Sequence, residues 1–307
     1  MERQTTIKAA ASFSGKGLHT GVVVNLTINP APIGHGYKFQ RVDLEDKPVF
    51  AADARNVSFT QRGTVLSAGG DKANVTVSTI EHLMSALRGR RIDNCLITLD
   101  GPEVPILDGS ALPFVEAIDR VGIEEQDAER EYMVITEKTV YEEPEKGIRI
   151  IALPEADGFA AQVNIAFNGS RCLGNQFALI ESLDEYETVY DCRTFVFLHE
   201  VAYLLQQGLI KGGDLENAIV FVEKELTDEE KAQIAALMGK TPTIHASGVL
   251  NDRDLKYNNE AARHKLLDLI GDLALVGKPI KGRIIATRSG HGSNAEFARM
   301  LIKKYGF

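Results

Sequence analysis

Apolar residues recur along this chain with two periods. Over 22–30, "VVVNLTINP" alternates apolar and polar positions for most of its length, which predicts a half-buried strand. "STIEHLMSALRG" (78–89) reads as a helix, "IDNCLITLDG" (92–101) as a strand, and "SALPFVEAIDRVG" (110–122) as a second helix closed by Gly122. The stretch "IEEQDAERE" (123–131) is polar, charged and without period, and it is the expected domain boundary. After it, "MVITEKTVYEE", "IRIIALP" and "AAQVNIAF" predict antiparallel strands. Helices follow over 197–208, 227–239 and 259–277, with a strand at 217–225. "GRIIATRSG" is a strand, and "SNAEFARMLIKKYG" is a last helix with cations near its C-terminal end.

The two halves end alike: a helix with a histidine near its start, a strand, a glycine-rich turn and a second helix. The first set carries His82, "CLITL" and "LDGS"; the second carries His264, "RIIAT" and "SGHGS". This predicts two related α+β domains, 1–126 and 127–307, each a mainly antiparallel sheet layered against helices. Packed together, they could bring His82 and His264 to one interface.

Composition narrows the function classes. The 307 residues carry formal net charge −9, so long-range attraction to nucleic acid or anionic membrane is not expected. No 18-residue apolar run predicts a transmembrane helix, and "MERQTTIKAA" lacks the apolar core of a signal peptide. Cys95, Cys172 and Cys192 are too widely spaced for a disulfide framework or zinc knuckle, and fit free thiols in a reducing cytoplasm.

The titratable residues are more informative. In "ARHKLLDLIGD" (262–272), His264, Asp268 and Asp272 recur four apart on one face of a helix that is otherwise largely apolar. His264 and Asp268 can converge on one ion, and imidazole with carboxylate suits zinc. The same spacing is also ordinary on solvated helix faces. In "STIEHLMSAL", Ser78 and Glu81 match a capping box, with His82 a first-turn residue. The competing reading makes His82 a metal ligand and Glu81 the adjacent general base. In "TRSGHGSN", Gly290 and Gly292 flank His291 between a strand and a helix, where it could donate a proton or serve a surface turn. "GKGLHTG" (15–21) lacks the Lys-Ser/Thr of a phosphate loop; its His19 could serve a tight turn or a ligand pocket. His35, His199 and His245 have no convergent partners in sequence.

Taken in order, "GKGLHTG", "STIEHLMSAL", "IDN", "EVPILDGSALPFV", "RTF", "GLIKGGDLENAIV", "RHKLLDLIGDL" and "SGH" make the chain resemble the UDP-3-O-acyl-N-acetylglucosamine deacetylase family, from about Thr5 to the end. The resemblance implies a zinc enzyme of two α+β domains with its active site between them. It would hydrolyse the N-acetyl group of UDP-3-O-acyl-N-acetylglucosamine, the committed step of lipid A synthesis, in the cytoplasm of Gram-negative bacteria. Zn2+ would be held by His82, His264 and Asp268. Glu81 would be the general base. Thr194 would help stabilise the oxyanion, and His291, steered by Asp272, would protonate the leaving amine. Lys265 would face substrate oxygen or phosphate. Phe195 would pack at the sugar, and Phe197, Val201, Ile210 and Gly213 would line an acyl passage, with Leu18 and His19 also on the substrate side. Where the family's uridine pocket has an acid before an aromatic, this chain has Ala166-Phe167, and Phe167 could stack on uracil. Residues 227–250 resemble an insertion. Some relatives are fused to an acyl-carrier-protein dehydratase, so a covalent partner is a further expectation. The alternative is a nucleotide-sugar or acyl-binding module on the same fold without the chemistry; it predicts loss of one of His82, His264, Asp268 or Glu81, and all four are present.

Overall fold

A computed structural model describes residues 2–306 apart from 157, 239–242, 251 and 252. Two five-strand sheet paths organise the chain. The first runs Ala11–Lys16, Val23–Pro30, Cys95–Leu99, Tyr37–Arg41, Val49–Ala51. The second runs Thr139–Glu143, Ile148–Leu153, Ile280–Thr287, Phe159–Phe167, Gly174–Ile180, with Met133–Val134 pairing beside its central strand. Their topologies are the same. In each, a hairpin comes first, and the strand latest in sequence enters the middle. That strand lies antiparallel to the hairpin's second strand and parallel to the third. The shared pairing scheme shows two related α+β halves, although their sequences are barely alike.

Alternation decides which face of each sheet turns inward. Val24, Leu26 and Ile28 are fully buried on one face of their strand, while Val23 is exposed. Ile284 and Ala286 do the same for the central strand of the second sheet. The central strands are flanked in sequence by the helices that cover them: α1 (Glu81–Gly89) and α2 (Leu112–Val121) in the first half. The second half has α3 (Leu198–Gln206), α4 (Asp228–Met238), α5 (Glu260–Leu273) and α6 (His291–Tyr305).

The halves meet where α1 crosses α5. Every residue of α1 is buried. Gly271 makes the crossing close: a Cβ there would stand 2.0 Å from the Glu81 carbonyl oxygen. Only a glycine lets the two backbones touch at that point. One continuous apolar core runs from Leu26 and Phe39 in the first half through Leu83 to Leu267 and Phe297 in the second.

Two local expectations change. The polar stretch after Gly122 is a strand, Ile123–Glu129, paired antiparallel with Arg3–Ile7. Its charged residues are those of an exposed ribbon, which needs no apolar period because little of it is buried. The capping box at α1 does not form. Ile80 is the N-cap and makes no side-chain cap, the Ser78 hydroxyl donates to the Pro102 carbonyl oxygen at 3.2 Å, and the Glu81 side chain turns elsewhere. Within the segment 227–250, α4 starts at a Thr227 hydroxyl that accepts from the Glu230 amide, and residues 239–242 lie outside the described residues.

Candidate active site at the junction of the halves

The first turn of α1 faces the middle of α5. His82 Nε2 lies 3.6 Å from Asp268 Oδ1, and His264 Nε2 lies 3.4 Å from the same oxygen. The two imidazoles are edge to face with centroids 4.9 Å apart. All three residues are buried, and their ligating atoms lie within 4.8 Å of one another. Neither His–Asp contact is an ion pair. Burial, reinforced by neighbouring His264, depresses His82 to about 3, and burial also lowers His264. Burial opposes ionisation of Asp268, but the charged Lys265 and His291 beside it hold the carboxyl well below the usual range. Neutral imidazoles beside a carboxylate are the protonation states a metal needs. Asp268 Oδ1 is buried without a hydrogen-bond partner among the described residues. An orphaned buried carboxylate oxygen aimed between two neutral imidazoles fits a bound cation, since otherwise it bears an uncompensated desolvation cost.

Support comes from behind. His264 Nδ1 meets the Cys192 carbonyl at 3.0 Å, which fixes the ring and leaves Nε2 as the free ligand atom. Lys265 Nζ donates to Asp268 Oδ2 at 2.7 Å, so the carboxylate cannot rotate freely.

A second constellation stands alongside. Glu81 Oε2 accepts from the Thr64 amide at 3.0 Å, and Oε1 lies 3.9 Å from His291 Nε2. Burial pushes Glu81 up to about 7, against the pull of His291 and with the push of Asp268 and Asp272. His291 starts α6, and its Nδ1 meets Asp272 Oδ2 at 2.9 Å. Burial disfavours its charge, but Asp272, Glu81 and Asp268 together lift it to about 9. Asp272 also accepts from Thr64 Oγ1 at 2.6 Å and Asn294 Nδ2 at 2.9 Å. At neutral pH the pair is therefore a protonated His291 beside a Glu81 poised to gain or lose a proton.

The chain entering α1 is strained. Thr79, β-branched, sits at φ 56°, held by its hydroxyl bond to Glu103 Oε1 at 2.8 Å. Glu103 is fully buried and also accepts from the amides of His19 and Thr20, tying the 15–21 loop to the helix that carries Glu81 and His82.

These groups open into a cavity of about 780 Å³ whose wall includes Leu18, Thr194, Phe195, Lys265 and His291. Asp272 stands behind His291. Phe167, Phe197, Val201, Ile210, Gly213 and His19 lie outside that wall. Phe167 packs edge-on against Phe195 and Phe197, with centroids 5.9 and 5.3 Å away. The 210–213 turn docks on the 15–21 loop, where the Gly212 amide donates to the Leu18 carbonyl oxygen at 3.0 Å. His19 Nε2 meets the Arg62 carbonyl at 3.2 Å. His199, unpartnered in sequence, has Glu223 3.1 Å away.

Thr64, Asn294, Thr79 and the Cys192 carbonyl escaped the sequence reading. Asn294 lies inside the quoted "TRSGHGSN" and Thr79 inside "STIEHLMSAL", but none of the four carries a local signal for its role, which is made by backbone atoms or distant partners.

Two related α+β halves that bury a His-His-Asp cluster at their junction, beside a Glu81–His291 pair, define a protein with a candidate metal site at its centre. A profile of the LpxC family, UDP-3-O-acyl N-acetylglycosamine deacetylase, matches residues 4–238 and 235–303, and the chain belongs to that family. It is 50% identical over 307 residues to a protein of Bacteroides thetaiotaomicron named bifunctional enzyme LpxC/FabZ, covering 99% of this chain and 65% of that protein. A bifunctional enzyme LpxC/FabZ of Porphyromonas gingivalis is 48% identical, again with 65% of its length covered. The UDP-3-O-acyl-N-acetylglucosamine deacetylase of Phenylobacterium zucineum is 40% identical over 305 residues, covering 98% of this chain and 94% of that protein. The chain therefore spans 65% of the length of the two bifunctional relatives named here.

Proposed function

We propose that this chain hydrolyses the N-acetyl group of UDP-3-O-acyl-N-acetylglucosamine with zinc, yielding acetate and UDP-3-O-acyl-glucosamine for lipid A synthesis. The observation that carries the reading is the convergence of His82, His264 and Asp268 beside the Glu81–His291 pair. His82 and His264 Nε2 stand 3.6 and 3.4 Å from Asp268 Oδ1, near the roughly 3.3 Å edge of a tetrahedron with zinc bond lengths. Bound there, zinc would supply Lewis acidity to the attacking water and to the acetamide carbonyl.

The chain's own residues do the rest. Glu81, fixed by the Thr64 amide, takes the proton from the water as its oxygen bonds to the carbonyl carbon. His291, held in charge and orientation by Asp272, sits beside the developing oxyanion and gives its proton to the amine as the C–N bond breaks. Thr194 offers a hydroxyl to the same oxyanion, and Lys265 presents its ammonium to the cavity beside substrate oxygens. Phe195 supplies apolar wall against the sugar. Phe167 is taken to serve the uracil end. Phe197, Val201, Ile210 and Gly213 are assigned to the acyl chain, and Leu18 and His19 to the substrate side, since the 210–213 turn docks on the 15–21 loop beside the cavity.

The division into units at 1–126 and 127–307 belongs to this reading: each five-strand path draws its strands from one side of it. So does a cytoplasmic setting, which three free cysteines favour. Among the described residues no helix is long and apolar enough to cross a membrane. A covalent partner like the FabZ portion of the bifunctional relatives is part of the same proposal.

The test is acetate release from UDP-3-O-acyl-N-acetylglucosamine with metal analysis of the same sample. About one zinc per chain is expected. Glu81→Ala is expected to keep the metal and lose about 10²–10⁴-fold in kcat. Wild-type protein with full metal and no acetate release would overturn the reading, as would near-normal turnover by Glu81→Ala.

A further inference from the structure

A second cavity, of about 330 Å³, lies away from the metal-ligating cluster. It opens between the C-terminal ends of the two site helices. Arg88, in the last turn of α1, and Ile270 and Leu273, near the end of α5, all reach it. Its floor is apolar, with Phe159 and Leu183 joining those α5 residues. Its rim is cationic: Arg88, Arg91, Arg130, Lys278 and Lys281 face two carboxylates, Glu2 and Asp184. On a chain of net charge −9 this concentration of cations is against the overall balance.

Most of the rim is already paired. Arg130 binds Asp93 and Glu2, Arg91 binds Asp184, and Lys278 binds Glu131. Two cations differ. Arg88 is only 8% exposed, and its one described side-chain partner is the Tyr37 ring, 5.5 Å from the guanidinium carbon. Lys281 Nζ lies over the Tyr132 ring at 4.2 Å. Among the described residues neither has a carboxylate partner. The carbonyls at the end of α1 offset part of the Arg88 charge, about half an elementary charge, and leave the rest. An arginine whose stem is buried and whose guanidinium faces this cavity without a carboxylate presents an unpaired charge that an anion entering the cavity can meet.

We propose that this cavity binds a small phosphate-bearing anion, with Arg88 and Lys281 supplying the unpaired charge and Arg91 and Arg130 completing the rim. Guanidinium groups suit phosphate because their paired N–H donors match its oxygens. The apolar floor gives room for an organic substituent, and the volume lies at the lower end of small-ligand sites. Because Arg88 and Glu81–His82 share α1, and Leu273 and Asp268 share α5, occupancy bears on the same two helices that hold the metal-ligating residues.

The experiment reads Lys281 itself. Acetylation of the Lys281 amine by acetic anhydride is followed by peptide mass spectrometry, with inorganic phosphate in one arm and octyl phosphate in another. Exposed Lys47 and Lys303 serve as internal controls. At least three-fold slower acetylation at Lys281, with the controls unchanged, is expected. Protection by octyl phosphate at lower concentration than inorganic phosphate shows that the floor takes part; equal protection identifies free phosphate as sufficient. Arg91→Gln, at the exposed rim, is expected to weaken the protection at least ten-fold with the fold intact. Arg88→Gln should abolish it, its fold being checked by thermal melting. Unprotected Lys281 in both arms, or undiminished protection in Arg91→Gln and folded Arg88→Gln, overturns the proposal. Deacetylation plays no part in this readout, so it stands or falls separately from the proposed catalytic function.

Discussion

Helix α5 carries three buried carboxylates, Glu260, Asp268 and Asp272, and the first two are treated in opposite ways. Glu260, in its first turn, is fully buried and fully satisfied: Oε1 accepts from the Arg193 amide and Nε at 3.1 and 2.9 Å, and Oε2 from Arg193 Nη2 and the Lys256 amide at 3.0 and 2.7 Å. Asp268, two turns on, is as deeply buried, yet among the described residues its Oδ1 has no hydrogen-bond donor and looks at two neutral imidazoles. Saturation suits a carboxylate that builds structure; an oxygen without a donor suits the proposed metal ligand. The two are linked. Glu260 anchors Arg193, and the adjoining residues supply the Cys192 carbonyl to His264 and place Thr194 and Phe195 in the cavity wall. The satisfied carboxylate is thus the scaffold for the unsatisfied one.

That contrast can be broken at either end. The largest effect is expected for Asp268→Ala, which should release the metal and reduce acetate production to background, with the melting temperature of the metal-free protein nearly unchanged. If Asp268 were structural like Glu260, the same change would unfold the metal-free protein instead.

Next in size is the pH response. The proposed mechanism requires Glu81 ionised and His291 protonated, so kcat/KM should be bell-shaped, rising through about 7 and falling through about 9, with the acid limb moved lower by a bound cation. His291→Gln should remove the alkaline limb and Glu81→Gln the acid limb; limbs that survive both changes belong to other groups. For stability the sign is separate. His291, raised above its unfolded value of 6.5, stabilises the fold fully below that value, and this contribution is lost as pH rises through about 9.

Glu260→Gln tests the other end. Leaving Arg193 buried without its charge partner is expected to cost about 3–5 kcal/mol by denaturant unfolding. Metal affinity should fall only through the loosened Cys192 carbonyl. Loss of metal without loss of stability would erase the distinction between the two carboxylates.

Smallest is Thr64→Val. It removes the hydroxyl on Asp272 Oδ1 but keeps the amide on Glu81, and should cost roughly 1–3 kcal/mol in stability. It should also shift the alkaline limb of the pH profile, because Asp272 holds the His291 charge. A stability change with the profile unmoved would reduce Thr64 to a packing role.

The elements themselves were largely legible, because burial on one face imposes periods of two and 3.6 that survive in the sequence. The exceptions are informative. Ile123–Glu129 pairs through its backbone at an exposed edge, so no apolar period records it. Ser78 and Glu81 have the spacing of a capping box, but both side chains find longer-range partners, the Pro102 carbonyl and the Thr64 amide, and tertiary bonds override the local one. The repeat of helix, strand, turn and helix was visible in outline; the identical order and direction of the two sheet paths was not, since pairing is set by partners distant in sequence.

What the sequence determined alone is the local part of the site. The four-residue spacing of His264, Asp268 and Asp272 puts them on one helix face whatever surrounds them, because helix geometry is fixed by the backbone. The tertiary structure decided everything that depends on two helices touching. It brought His82 to Asp268 through the close crossing at Gly271, set Asp272 on His291, and turned the Cys192 carbonyl to His264. It also made the charges what they are. A carboxyl raised to about 7 and an imidazole lowered to about 3 are consequences of burial and neighbours, and neither exists until the halves close on one another.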